Sequence, residues 1–86
     1  MSRDYAYEAA LRFANRVRKE EGLKPLKRLP KGWRHDSRAC PLAEATGYEA
    51  GTSELIVGLC EFRRYPRDVR RFVSKFDKGK YPELVA

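Results

Sequence analysis

Two cysteines, Cys40 and Cys60, and a single histidine, His35, are the only thiols and imidazole in the chain. Two thiols cannot build the disulfide framework of a small secreted domain, so a reduced, cytoplasmic protein is the expectation. A metal site needs three or four ligands. His35, Cys40 and Cys60, with Asp36 or Glu61, show neither of the paired spacings, C-x-x-C or H-x-x-x-H, that gather them, so no metal is expected. His35 and Cys40 have the residue types of a nucleophilic pair, but a spacing of five in a loop fixes no geometry. Missing too are an apolar run near the roughly 18 residues of a transmembrane helix and a charged segment leading into an apolar leader. The chain also has no glycine-rich phosphate loop and no two carboxylates set in an apolar frame. These absences argue against membrane insertion and catalysis, and leave a non-enzymatic protein with no cofactor as the expectation.

What the chain has is positive charge and aromatics. Nineteen lysines and arginines stand against twelve carboxylates, a formal charge of +7 on 86 residues. Such a balance suits a polyanion, an acidic protein surface or anionic lipid. Ten aromatic residues supply anchors for a core, and so short a chain supports one core at most, so residues 1–86 are expected to form a single small domain.

Helical spacing of Tyr7, Ala10, Leu11, Ala14 and Val17 predicts a helix from about Asp4 to Glu20. Ser2 or Asp4 can cap it, Glu8 can pair with Arg12 four residues on, and Gly22 can stop it. From Leu23 to Arg38, two prolines and one glycine interrupt any stripe and predict an extended connection packed by Leu26, Leu29 and Trp33. Trp33 is read as a core or lid residue ahead of a binding anchor. Near the other end, Val69, Phe72, Val73 and Phe76 recur at i, i+3, i+4 and i+7, with Pro66 at the first helical position, Asp68 in the first turn and Gly79 as the stop. Tyr81 and Leu84 then anchor a fold-back. Between these segments, residues 52–62 suit either a helix or a strand, and the strand is preferred because Gly51 and Gly58 bracket it.

CPLAEATGYEAGTSELIV, residues 40–57, has the spacing of a helix-turn-helix, with Pro41 to Thr46 as its first helix and Gly47 as its turn. A DNA-reading helix must bring cations to phosphates. This one would offer Glu49, Thr52, Ser53 and Glu54. Residues 41–60 contain three carboxylates and no lysine or arginine, whereas residues 61–86 contain eight cations and four carboxylates. The motif therefore sits in the one acidic stretch of a basic chain, and Pro41 to Gly47 is better read as a short helix and turn.

The cations gather in FRRYPRDVRRFVSKFDKGK. Arg63, Arg64, Arg67, Arg70, Arg71 and Lys75, with Trp33 and Arg34 from the loop 31–38, are the expected partner-binding residues. Arginine suits the role because its planar fork pairs with carboxylates and phosphates. The preferred partner is a protein with an acidic surface, and the alternative is nucleic acid bound through the same arginines.

Two stretches, LPKGWRHDSRACPLAEATG (Leu29, Pro30, Gly32, Cys40, Pro41, Ala43) and RRFVSKFDKGKYPELV (Phe72, Phe76, Asp77, Gly79, Tyr81 to Leu84), resemble small accessory proteins encoded by bacteriophages of actinobacteria. The resemblance spans Leu29 to Val85. It implies a compact protein made in the host cytoplasm, often dispensable for the virion and sometimes directed at a host protein, with no catalytic residues to carry over. The fold expected from all of this is α+β and mostly helical. N- and C-terminal amphipathic helices pack around a short helix at 41–46 and a small hairpin near 48–60.

Overall fold

A computed structural model describes residues 4–86. It is α+β and mostly helical: α1 (Tyr5–Glu20), α2 (Pro41–Thr46), β1 (Glu49–Ala50), β2 (Glu54–Ile56), β3 (Phe62–Arg64), α3 (Arg67–Asp77) and a 3-10 turn (Pro82–Leu84). The strands form one antiparallel sheet in the order β1-β2-β3.

Asp4 caps α1, its carboxylate accepting the Tyr7 amide at 3.0 Å, and Gly22 follows the helix with φ +76°. Ser2 lies outside the described residues. The buried stripe of α1 is Ala6, Ala9, Ala10, Phe13, Ala14 and Val17, while Tyr7 and Leu11 are only half-buried. The predicted stripe is therefore rotated by about one position, because α1 is packed against α2 as well as α3. Its alanines let both neighbours approach closely, and Phe13 is buried with them.

Pro66 stands just outside α3 as its N-cap, not at its first helical position. The extended backbone at Pro66 (ψ 160°) places its carbonyl to accept the amides of Val69 and Arg70. Val69, Phe72 and Phe76 are buried and Val73 half-buried, as the spacing predicts. Phe72 lies at the centre of an aromatic group, with ring centroids 6.2 Å from Tyr7, 6.3 Å from Phe76 and 4.9 Å from Tyr81. A second pair, Phe13 and Tyr65 at 5.4 Å edge to face, joins α1 to the start of α3. Burying each such ring contributes about 1.5–3 kcal/mol, so the α1–α3 contact is the main source of stability.

The connection between α1 and α2 has no regular helix or strand, and side chains hold it instead. Asn15 pairs with the backbone of Leu26 in both directions (Nδ2 to O 3.0 Å, N to Oδ1 2.8 Å), and the Tyr7 hydroxyl accepts the Leu29 amide. Arg18 donates to the carbonyls of Lys24 and Ala45 and so ties α2 to α1. Gly32 is where the connection crosses the tail: its amide donates to the Leu84 carbonyl and its carbonyl accepts the Ala86 amide. A Cβ there would lie 2.4 Å from the Ala39 carbonyl oxygen, which is why glycine is required. Successive side chains of an extended chain point to opposite sides. With Gly32 facing inward, Trp33 turns outward and is 56% exposed, so Leu29 is the core residue of this segment and Trp33 is not.

Gly47 ends α2 in the left-handed region (φ +79°), and the chain then enters β1 and β2. The second helix of a helix-turn-helix does not form here. The sheet also runs further than the predicted hairpin, because Phe62–Arg64 adds a third strand. Leu55 faces the core from the central strand. Tyr81 and Leu84 are both buried, so the tail folds back as expected.

Candidate docking surface

The eight expected binding residues separate into two groups according to what each already holds. Arg34 donates from Nε and Nη2 to the Asp77 carbonyl at 3.0 and 2.7 Å, and the His35 amide donates to the Asp77 carboxylate. Arg34 thus supplies a positive charge to the C-terminal end of α3, where helix carbonyls lack partners and cations are favoured. It is a cap. Arg63 extends from β3 to the end of α1 and grips Glu20 with both terminal nitrogens, the Nη2 contact measuring 3.1 Å. That hydrogen bond holds the Glu20 carboxyl below its ordinary value. Both arginines join elements 43 residues apart in sequence.

The remaining cations face solvent. Arg64, Arg67, Arg70, Arg71 and Lys75 are all exposed, and only Arg71 has an ion pair of its own among the described residues, a loose one to Asp68 at 3.8 Å. For Arg67 and Arg70 the position is unfavourable to the helix that carries them, whereas Lys75 lies in its last turn and Arg64 on β3. Cations stabilise a helix C-terminus and oppose the positive end of the helix dipole at the N-terminus. Arg67 opens α3, Arg70 follows one turn later, and Pro66 offers no side-chain cap, so Asp68 is the only favourable charge in the first turn. Trp33 lies with Arg34 at the opposite end of α3, roughly 16 Å away along the 11-residue helix. The eight residues do not converge on one spot.

An apolar group that sequence reasoning missed lies on the hairpin that carries Arg64. In the β2–β3 hairpin, Leu59 at the tip is fully exposed and Phe62 is half-exposed, with Ile56 paired across from Phe62. Phe62 and Arg64, two apart on β3, share the outer face of the sheet, while Arg63 turns inward with Leu55. The predicted hairpin ended near residue 60, so the return strand that displays Phe62 was not anticipated. Cys60, next to Leu59, is exposed and free.

A cavity of about 240 Å³ is lined by the apolar side chains of Leu42, Phe72, Val73 and Phe76, with His35, Asp36, Cys40 and Asp77 among the residues around it. His35 and Cys40 thus border the same cavity, and His35 stands in the left-handed region (φ +57°). Burial pushes the Cys40 thiol up, away from the thiolate that nucleophilic attack requires. Among the described residues no three His, Cys, Asp or Glu side chains group as metal ligands, and no helix is long and apolar enough to cross a membrane. Comparison with known proteins finds no matching family model, no matching curated protein and no matching solved structure.

Proposed function

We propose that this is a non-enzymatic interaction protein that binds an acidic protein surface through Arg64, Arg67, Arg70 and Arg71 and the exposed apolar residues of the β2–β3 hairpin. One observation carries the reading: cations crowd the positive end of α3, where they oppose the fold. Residues that break a local rule without helping the fold mark surfaces kept for another purpose. Exposed Leu59 and Phe62 in the hairpin, Phe62 on the same face as Arg64, favour a protein over a phosphate backbone, because interfaces combine desolvated apolar anchors with arginine. The resemblance to phage accessory proteins fits the same reading, with a host protein as the partner.

The double variant Arg67→Glu, Arg70→Glu tests this with two readouts that move in opposite directions. Carboxylates at the helix start should raise thermal stability by a few tenths to about 1 kcal/mol, while capture of an acidic partner from nuclease-treated host lysate should be lost. Unchanged capture removes α3 from the interface. A nucleic-acid binder would instead shift DNA or RNA at low salt and lose affinity steeply as salt rises, with a slope set by the phosphates contacted.

A further inference from the structure

The two edges of the sheet are not equivalent. Across β2 and β3, the Val57 amide donates to the Glu61 carbonyl (3.0 Å) and the Tyr65 amide to the Ser53 carbonyl (3.1 Å), with Arg63 opposite Leu55 between them. In an antiparallel ladder bonded pairs alternate with unbonded ones. Residues 61, 63 and 65 therefore bond inward, and the amides and carbonyls of Phe62 and Arg64 point away from the sheet. Among the described residues no hydrogen bond reaches either amide, and β2 is the one helix or strand that packs extensively against β3. On the opposite edge the same alternation turns the Ala50 amide outward, but the Ser37 carbonyl accepts it at 2.7 Å. One edge is closed by the chain itself and the other is open.

We propose that the open edge of β3 receives an extended acidic segment of the partner as a fourth strand; this deepens the function proposed above and rests on it. Strand addition draws affinity from main-chain hydrogen bonds and specificity from alternate side chains. Phe62 and Arg64 are two apart and share a face. An antiparallel strand would set a carboxylate opposite Arg64 and, two residues later, an apolar side chain opposite Phe62. Exposed Arg67, just beyond the strand, extends the same demand for negative charge. A second copy of the chain fits poorly. The register that uses both outward amides of each copy sets Arg63 against Arg63, between chains of charge +7 each.

The acetylated, amidated peptide Asp-Glu-Thr-Val-Asp-Glu tests this on the unaltered protein, so folding is not in question. Amide exchange of Phe62 and Arg64 should slow by about tenfold or more at saturating peptide, with Arg63 unchanged. A version methylated on the backbone nitrogens of its first glutamate and its valine should give no such protection. If the peptide binds and both amides exchange as fast as before, or if it fails to bind at millimolar concentration, the strand-addition proposal is overturned. Protection that grows with protein concentration alone would assign the edge to a second copy and overturn it equally. Whether an acidic partner is bound at all is decided separately by the α3 charge reversal.

Discussion

The α1–α3 helix pair and the β2–β3 hairpin use apolar side chains in opposite ways. In the helix pair, Phe13, Val17, Val69, Phe72 and Phe76 are buried, and Tyr65 and Tyr81 close the ends of the contact. In the hairpin, Leu55 is the one fully buried side chain and Val57 packs partly against the core, while Leu59 and Phe62 face solvent, Phe62 on the same face as exposed Arg64. A large apolar residue that the core does not need, on an element that packs against little else, can be changed without unfolding the domain. The comparison therefore separates residues that make the fold from residues that the fold displays.

Three substitutions probe that separation. The largest effect should come from Phe72→Ala, which empties a buried site touched by three other rings. It should cost about 3–5 kcal/mol, much of the total of a small domain, and a denaturant titration should find the variant largely unfolded near room temperature. Asp4→Ala should cost less, about 1 kcal/mol, as the loss of an N-cap. Its pH dependence is specific. Burial pushes the Asp4 carboxyl up, but the Tyr7 amide and the Tyr81 hydroxyl donate to it and hold it below the ordinary 3.8. A group depressed in the folded state contributes its stability above the unfolded value and loses it as pH falls through the folded one. The gap between Asp4→Ala and the parent, followed by thermal melts, should therefore be full at neutral pH and narrow below pH 3.8. Leu59→Ser should have the smallest effect on stability, within about 0.5 kcal/mol, together with a clear loss of partner capture. A large fall in stability there would place Leu59 with the core residues and erase the distinction.

Features that depend on neighbours in sequence were legible before the structure. Asp4 caps α1, Pro41 to Thr46 forms a short helix ended by Gly47, and Val69, Phe72 and Phe76 face inward from α3. Each depends on a spacing of a few residues, where backbone geometry leaves little choice. Trp33 was misplaced because its direction is set by Gly32, which in turn is fixed by Leu84 and Ala86 from the far end of the chain. The tasks of Arg34 and Arg63 were hidden for the same reason, since their partners Asp77 and Glu20 are 43 residues away. Local sequence marked a cluster of arginines. Which of them the fold had already engaged was a question of tertiary contact.

The Gly32 crossing and the bond from Tyr81 to Asp4, which spans 77 positions, also bear on the order in which the molecule is made. A chain emerging from a ribosome can form α1 early, but it cannot seat Phe72 and Tyr81 against Tyr7, or tie Gly32 to Leu84, until those later residues have been synthesised. Contacts of such long sequence separation form late and slow folding. During that interval Phe13 and Val17 stand uncovered, so nascent α1 should be a ready client for chaperones until translation has passed Leu84.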